Sequence, residues 1–270
     1  MNKTRFLKLA ALLLALLMAA APMGALAAEA NAVKTVKINK TNFPDPKFRA
    51  YVKDNYDADK NGRLSSAEIR AAEWLNVGEM GVSNLKGVEY FVNLTHLDCQ
   101  ENNIGGKLDL RKNTQLVYVN CDSNRLTGLI VSKCRKLEIL WCNRNRLTKL
   151  DVSNCPALYH LRCNDNRLTK LDVHKNPKLY WLFCDENRLT SLTLGRQKNL
   201  IDLSCYFNKL KKLDISGCPN MKWLIKNAGK PSPDQFDRVG WYNNEPVPEW
   251  GLHIDASTVV TAGKKVLYKR

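Results

Sequence analysis

The chain has 270 residues, of which 44% are hydrophobic and 25% are charged, and its formal net charge is +16. A basic surface of this kind attracts acidic polymers such as wall teichoic acids, host glycans or nucleic acid through screened and largely non-specific forces. The charge alone therefore does not identify a specific nucleic-acid or polymer partner. The alternative is that the charged residues only keep the surface solvated.

Residues 1–27 are typical of a signal peptide. They begin with three basic residues, continue with the apolar run Leu9–Ala21 and end in small residues at Ala25 and Ala27. The apolar run is shorter than the about 20 residues that a membrane anchor needs. The segment holds three of the 42 Lys and Arg and none of the 26 Asp and Glu, so its removal lowers the net charge to +13. We therefore expect a secreted or cell-surface protein without a membrane span.

Residues 57–68 match the twelve-residue calcium loop of an EF-hand, with Gly62 at the position of the tight turn. Calcium prefers six to eight hard oxygen ligands. The predicted ligands are the carboxylates of Asp57, Asp59 and Glu68, the amide oxygen of Asn61, the carbonyl of Arg63 and, through water, Ser65. The sequence thus predicts one structural calcium ion; the alternative is an Asp/Asn-rich turn that binds nothing.

Apolar residues on both sides of this loop predict two short helices; they are Phe48, Tyr51, Val52 and Tyr56 before it and Ile69, Ala72 and Trp74 after it. Since EF-hands pair through the eighth loop residue and no second hand follows, we expect Leu64 to pair or pack elsewhere, for example against the first repeat. Residues 28–74 are therefore predicted to form a helical cap over one apolar end of an array, clamped by calcium.

A cysteine recurs every 21 or 22 residues within a repeated pattern, L-x-x-L-x-C-x-x-N-x-L. The cysteines are Cys99, Cys121, Cys142, Cys163, Cys184 and Cys205, and the asparagines are Asn102, Asn124, Asn145, Asn166, Asn187 and Asn208. A weaker copy starts at Leu75, and a last one is predicted at Leu224-Ile225-Lys226. Residues 75–226 thus predict a leucine-rich-repeat solenoid of about seven or eight parallel strands, with the asparagines bonding adjacent turns.

Nine cysteines in an exported chain suggest disulfides, but their periodicity favours buried free thiols. Six share the inward slot of the repeat, and Cys134, Cys155 and Cys218 share a second slot that Asn113 and Asn176 fill elsewhere. The histidines that precede Cys99 and Cys163 by three residues fall on the opposite strand face. Neither a catalytic Cys–His pair nor a zinc spacing is therefore predicted.

Strand alternation places the neighbours of each core leucine on the concave face of the sheet. Aromatic residues crowd this face, with His96, Asp98 and Asp202 expected at its rim. The predicted partner-binding residues are Tyr118, Trp141, His160, Arg162, Trp181, Phe183, Tyr206 and Trp223. Exposed aromatic patches usually mark interaction sites; the alternative is that the rings pack sideways on one another or under the C-terminal segment.

A basic residue follows each strand-ending asparagine from Asn124 onward; these are Arg125, Arg146, Arg167, Arg188 and Lys209. Stacked at the strand spacing, they form a candidate anion-binding ridge, since neighbouring like charges about 5 Å apart repel one another. The alternative is solvated charge that repeat duplication has copied.

The remaining segments complete the array. Short runs at Leu150–Val152, Leu171–Val173 and Leu213–Ile215 predict an opposite extended wall. Residues 227–270 are rich in Pro, Gly and Asn and predict a C-terminal cap, with a hairpin over Val259–Lys269 around Gly263. This segment is too short for a catalytic domain.

The repeats, written N-x-L-T-x-L-D-V-S-x-N/C-P-x-L-x-x-L-x-C, follow the segment NFPDPKFRAYV and the loop DADKNGRLSSAEI. From Lys37 to Lys226 the chain resembles secreted bacterial leucine-rich-repeat proteins of the internalin-like class. The resemblance implies a right-handed α/β solenoid used in protein binding or adhesion, with no catalytic residues. The departures are the extra residue at Gly105-Gly106 and the positions Thr193 and Gln197, which break the LDVS run.

These patterns favour a monomeric, non-enzymatic, extracellular recognition or adhesion protein that binds a protein ligand through the aromatic concave face. The alternative is binding of an acidic glycan or cell-wall polymer through the concave aromatic residues or the basic ridge. An enzyme is the third and least favoured hypothesis, because no set of catalytic residues is predicted to lie together on one face.

Overall fold

A computed structural model describes residues 35–226, 239–242, 245–248, 252–254, 258–263 and 265–268. The predicted signal peptide lies outside the described residues. In chain order the elements are β1 (Val36–Lys37), α1 (Pro46–Tyr56), β2 (Arg63–Leu64), α2 (Ser66–Ala71), β3 (Trp74–Asn76), a 3-10 helix (Val88–Tyr90), β4 (His96–Asp98), β5 (Gly105–Asp109), β6 (Tyr118–Asn120), β7 (Arg125–Ile130), β8 (Ile139–Trp141), β9 (His160–Arg162), β10 (Lys170–Asp172), β11 (Trp181–Phe183), β12 (Ser191–Thr193), β13 (Asp202–Ser204), β14 (Lys212–Asp214), α3 (Pro219–Lys226), β15 (Val239–Tyr242), β16 (Glu245–Pro248), β17 (Leu252–His253), β18 (Val259–Ala262) and β19 (Lys265–Tyr268).

The first elements form two short helices around the predicted calcium loop. Helix α1 begins at Asp45, whose carboxylate accepts the backbone N–H groups of Lys47 and Phe48, and helix α2 begins with a capping box between Ser65 and Glu68. The eighth loop residue, Leu64, pairs antiparallel with Val36 of β1. It therefore pairs outside the repeats, with the strand that precedes helix α1.

Helix α1 is tied to the first repeat by side-chain hydrogen bonds. The Tyr51 hydroxyl accepts from the backbone N–H of Asn76, and the Tyr56 hydroxyl donates to the Trp74 carbonyl. The Asp45 carboxylate also accepts from the backbone N–H and hydroxyl of Ser83. Phe48 on the inner side of α1 is fully buried in the same core as the repeat leucines.

Eight parallel strands form the long sheet, in the spatial order β17-β13-β11-β9-β8-β6-β4-β3. This is the predicted concave sheet, and the weaker first repeat belongs to it, because β3 pairs in register with β4. The central residue of each strand from β3 to β13 is buried and aligned with its neighbours; these residues are Leu75, Leu97, Val119, Leu140, Leu161, Leu182 and Leu203. A column of hydrophobic side chains therefore runs along the inside of the sheet and confirms the predicted solenoid.

The strand-ending asparagines bond adjacent coils to one another. The Asn145 amide donates from Nδ2 to the carbonyls of Cys121, Cys142 and Asn143 at 2.9, 3.3 and 3.0 Å. Its Oδ1 accepts from the Leu126 backbone N–H at 2.9 Å. Buried backbone groups need such partners, and the equivalent bonds recur at Asn102, Asn124, Asn166, Asn187 and Asn208.

The opposite wall is formed by short strand pairs rather than by one sheet. Strands β5 and β7 pair parallel with a bulge at the inserted glycines, between Gly106 and Lys107, and β10 pairs with β12. The run Leu150–Val152, predicted as part of this wall, is not assigned as a strand, and its Leu150 and Val152 side chains are buried in the core. Gln197, a departure from the repeat, fills the second inward slot and donates to the Val173 and Leu194 carbonyls as an asparagine would.

The C-terminal end differs from the prediction. The strand expected at Leu224–Lys226 is wrong, because Pro219–Lys226 is helix α3. Pro219 suits a first helical turn, where its missing N–H costs nothing. The next place in the long sheet is taken by β17, which pairs with β13, while β18 pairs with β14 and forms the predicted hairpin with β19.

Candidate functional site

Three outward columns of side chains cover the long sheet. The first precedes the core residue of each strand, the second follows it, and the third comes after the cysteine or its equivalent. Because parallel strands pair in register, equivalent side chains of neighbouring coils lie directly beside one another.

The first column is an aromatic ladder with one aliphatic step, formed by Trp74, His96, Tyr118, Ile139, His160 and Trp181. Trp74 stacks on His96 with ring centroids 3.7 Å apart and planes 5° apart, and His96 lies 5.9 Å from Tyr118. His160 lies 5.1 Å from Trp181. The ladder is therefore continuous within each half of the face, which agrees with the alternative that the rings pack sideways on one another.

Trp141 of the second column joins the two halves. Its ring lies 5.5 Å from Tyr118 and 5.7 Å from His160, in edge-to-face geometry in both cases. Five aromatic residues of the predicted partner-binding set, Tyr118, Trp141, Trp181, Phe183 and Tyr206, are half-buried. Sideways packing thus leaves ring surface available on the face.

Trp74 was missed as a face residue. The sequence interpretation placed it beside the calcium loop, but it begins strand β3 and is 65% exposed. The register contained the signal, since Trp74 precedes Leu75 as His96 precedes Leu97. The face therefore begins one coil earlier than its predicted residues indicated.

Arg162 occupies the centre of the face between two aromatic rings. Its guanidinium carbon lies 5.1 Å from the Trp141 ring centroid and 5.3 Å from that of Phe183. Its Nε donates to His160 Nε2 at 3.0 Å. Burial, and then the charge of Arg162, lower the pKa of His160 to about 4. His160 is therefore neutral at pH 7 and fixes Arg162 in place.

Some predicted face residues are less available than expected. His160 is only 9% exposed, because the rings of Trp141, Trp181 and Phe183 surround it. Asp202, expected at the rim, is 2% exposed. Trp223 belongs to helix α3 and not to the sheet.

Carboxylates and amides fill much of the second and third columns, and neighbouring coils share them. Asn143 donates from its backbone N–H and its Nδ2 to Asp122, at 2.7 and 2.9 Å. The Ser204 hydroxyl donates to the buried Asp185 carboxylate. Burial raises the pKa of Asp98 and Asp122, and it raises that of Asp185 to about 6.

The five residues of the predicted basic ridge are all exposed. Their backbone N–H groups each donate to a carbonyl of the preceding coil, for example Arg146 to Leu126 and Arg167 to Leu147, both at 2.9 Å. The ion pairs found among the described residues join Arg111 to Asp109 and His174 to Asp172, and neither involves a ridge side chain. The ridge is therefore a regular stack of cations away from the aromatic ladder.

The predicted calcium loop brings three of its ligands together. Oxygen atoms of Asp57, Asp59 and Glu68 lie within 4.8 Å of one another. The amide oxygen of Asn61 instead accepts from the Arg63 backbone N–H at 2.8 Å. The other predicted ligands are placed by secondary structure, since Arg63 lies in β2 and the Ser65 hydroxyl caps helix α2 at 3.2 Å from the Glu68 N–H.

All nine cysteines are buried, and none forms a disulfide with another. The thiols of Cys121, Cys142 and Cys184 donate to a carbonyl of the following coil, at 3.3 to 3.4 Å. Burial raises the pKa of the Cys99, Cys121, Cys142, Cys163 and Cys184 thiols of the main column. These residues thus belong to the core and offer no exposed thiolate.

The in-register parallel sheet, the inward leucine and cysteine columns and the asparagine bonds together define a leucine-rich-repeat solenoid. The chain is similar to the functional domain of InlJ from Listeria monocytogenes, described as including a cysteine ladder, with a TM-score of 0.63 and 38% sequence identity. The similarity covers 69% of this chain and 41% of that domain, so the chain spans less than half of the InlJ domain's length.

Two other solved structures are less similar to the chain in fold and in sequence. Internalin C2 of Listeria monocytogenes matches with a TM-score of 0.47 and 21% identity, over 70% of this chain and 94% of that one. YopM of Yersinia enterocolitica matches with a TM-score of 0.39 and 28% identity, over 54% and 31%. No protein-family model and no curated protein matches the sequence. Among the described residues, no helix has the length and apolarity required to cross a bilayer.

Proposed function

We propose that the chain is an exported, monomeric recognition or adhesion protein that binds a protein ligand through the outer face of the long sheet. The observation that carries this proposal is the half-buried surface formed by Trp141, Arg162, Trp181 and Phe183. Trp, Tyr and Arg dominate binding hot spots, and here they are held rigidly by their neighbours, which lowers the entropic cost of binding.

We also propose that the chain is not an enzyme. The thiols are buried with raised pKa values, and His160 is neutral and engaged by Arg162. These groups therefore serve packing and positioning, and the described face offers surface for contact rather than a nucleophile with an adjacent base.

The test is capture of partners from host-cell and bacterial-wall extracts, followed by affinity measurement with the purified partner. The double variant Trp141→Ala/Trp181→Ala should lose at least about 2 kcal/mol of binding, or about 30-fold in Kd. Arg146→Ala/Arg167→Ala on the ridge is the matched control and should bind like the wild type. Unchanged affinity in the tryptophan variant would contradict the proposal.

The second candidate is binding of an acidic glycan or wall polymer, and it is favoured by the exposed ridge, whose side chains form no ion pair with the residues that the structure describes. In that case soluble acidic glycans should compete with the captured partner, and the ridge variant should lose affinity. The same two variants therefore separate the two candidates.

We further propose that the loop at residues 57–68 holds one structural calcium ion. The converging carboxylate oxygens of Asp57, Asp59 and Glu68 fit a hard cation. Asn61, Arg63 and Ser65 stand at the remaining ligand positions. The ion would neutralise the clustered carboxylates between α1 and α2, and so hold the cap on the first repeat.

A further inference from the structure

The outer face of the long sheet is acidic in a chain that is basic as a whole. Four carboxylates and one guanidinium stand in its three outward columns, namely Asp98, Asp122, Asp185, Asp202 and Arg162. With neutral histidines the formal charge of the columns is −3, whereas the whole chain carries +16. Charge of opposite sign is thus concentrated on the proposed recognition face.

The two halves of the face differ in the charge of the side chains that lie beside their aromatic rings. In the C-terminal half, Arg162 supplies a cation to the rings of Trp141 and Phe183. In the N-terminal half, the same column carries Asp98 and Asn120, which pair in register with each other. That half therefore has rings and carboxylates but no cation of its own in the three columns, and the cation that reaches it is Arg162 of the other half, whose charge acts to lower the pKa of Asp122 and of Tyr118.

In the N-terminal half the Trp74 ring is exposed, and the Tyr118 ring lies close to negative charge. Trp74 is 65% exposed, and its ring is fixed by the stack on His96. Burial, and then the charges of Asp98 and Asp122, raise the pKa of Tyr118 to about 12. The charge of Glu79 in turn helps to raise the pKa of Asp98. An incoming cation would relieve this repulsion between carboxylates.

From this arrangement we infer that Trp74, Tyr118, Asp98 and Asp122 form a cation subsite that takes an arginine or lysine side chain of the protein ligand. The inference rests on the proposed function and specifies the chemistry of the partner. A guanidinium or ammonium group gains both from the face of an aromatic ring and from a carboxylate beside it. An acidic glycan would be repelled from the same place.

The test uses a defined probe, a fluorescent, end-blocked nonapeptide of alternating Arg and Gly, and the full-length protein. Anisotropy titrations at 0.15 M salt compare it with the same peptide carrying Gln in place of Arg. We expect the Arg peptide to bind at least tenfold more tightly and its affinity to fall as salt is raised. Equal binding of the two peptides, or no binding of either, overturns the inference.

Two single variants and a matched control locate the site. In the wild type, the Asp98 carboxylate accepts a hydrogen bond from the Gln100 backbone N–H at 3.1 Å. Asp98→Asn removes the charge but keeps an oxygen that can accept this bond. Asp151→Asn is the control, because Asp151 accepts the Ser153 N–H in the same way on the other wall. Asp98→Asn and Trp74→Ala should each weaken the Arg peptide at least tenfold, and Asp151→Asn should change it less than twofold.

The outcomes also separate this inference from the proposed function. If Trp141→Ala/Trp181→Ala abolishes capture of the natural partner and Asp98→Asn has no effect on partner or peptide, the recognition face stands and the cation subsite falls. If Asp98→Asn weakens the Arg peptide and the tryptophan variant retains the partner, the subsite stands and the proposed function falls. Melting curves of each variant confirm that the fold is retained.

Discussion

Asp185 holds a negative charge where burial disfavours it. Its carboxylate is buried on the third column and accepts a hydrogen bond from Ser204, yet its pKa is raised to about 6, above the ordinary value of 3.8. A carboxyl whose folded-state pKa is raised binds its proton more tightly in the folded chain. Its contribution to stability is therefore fully present below pH 3.8 and is lost as the pH rises through about 6.

The first prediction follows from the upward direction of this pKa shift. Asp185→Asn removes the titration and keeps an oxygen for Ser204, so at pH 8 the variant should be more stable than the wild type by about 2 kcal/mol, with about 3 kcal/mol as the limit set by the shift. The difference should shrink toward zero below pH 4. Urea unfolding of both proteins from pH 4 to pH 8 measures it, and parallel pH profiles would contradict the prediction.

At the scale of single residues, the repeat register predicted which column each side chain joins but not how exposed it is. Strand alternation placed Trp141 and Phe183 on the outward face correctly. The burial of His160 depends on rings from the coils on both sides, and no period in the sequence specifies how those rings orient. Trp74 was missed because it is the last residue of the predicted cap, where a helix was expected to continue.

At the scale of elements, the asparagines connect one coil to the next. Asn145 bonds to backbone groups of two neighbouring coils, since its two Nδ2 hydrogens are shared among three carbonyls and its Oδ1 accepts one N–H. The second prediction is that Asn145→Ala destabilises the fold by about 3 kcal/mol, because buried backbone groups lose their partners.

The matched control for that change is Asn154→Ala. Asn154 is exposed on the opposite wall, and its side chain contacts the Ser153 hydroxyl at 3.5 Å. Its removal should change the free energy of unfolding by less than about 0.5 kcal/mol. Chemical denaturation of both variants makes the comparison, and equal losses would show that Asn145 is only a spacer.

The third prediction concerns the cap. Calcium should bind the wild type weakly, at roughly 10⁻⁴ to 10⁻³ M, and raise its melting temperature. Glu68→Gln retains a capping-box partner for Ser65 but removes a carboxylate ligand, so it should fold and lose most of the calcium-induced rise. Magnesium at the same concentration is the ionic-strength control. Titration calorimetry that detects no calcium uptake by the wild type would rule out the site.

The C-terminal elements show why local patterns were insufficient there. The run Leu224-Ile225-Lys226 looked like the start of a further strand, but strands and helices of this length share similar apolar patterns. The strand that takes the next place in the sheet is β17, and Leu252 pairs with Leu203, 49 positions earlier in the chain. Pairing over such a separation has no periodic signature in the sequence.

At the scale of the whole molecule, repetition made the solenoid predictable. The 21-residue period fixed the strand register, the inward column of cysteines and the asparagine bonds across six coils. Charge segregation was less visible, because the carboxylates of the outer face are scattered along the chain among many more lysines and arginines. They form one surface only after the coils are stacked.

The fourth prediction is that the thiols are free and inaccessible in the folded protein. Parallel in-register strands place the cysteines of the main column side by side inside the sheet, and all nine cysteines are buried and form no disulfide with one another. A thiol reagent should therefore detect almost none in the native mature protein and nine in denaturant. Mass spectrometry that finds several disulfides in the native protein would contradict this.

Because of these thiols, unfolding of the chain is irreversible in an oxidising medium. Once the coils separate, the pKa of each thiol returns toward its ordinary value, and up to nine nucleophilic sulfurs can pair in many non-native combinations. Each wrong bridge would prevent the coils from closing in register. Heating under air should thus leave material that does not regain its circular dichroism on cooling, whereas the same cycle with a reductant should be reversible. In such a medium the lifetime of the folded protein would then be set by its rate of unfolding rather than by its equilibrium stability.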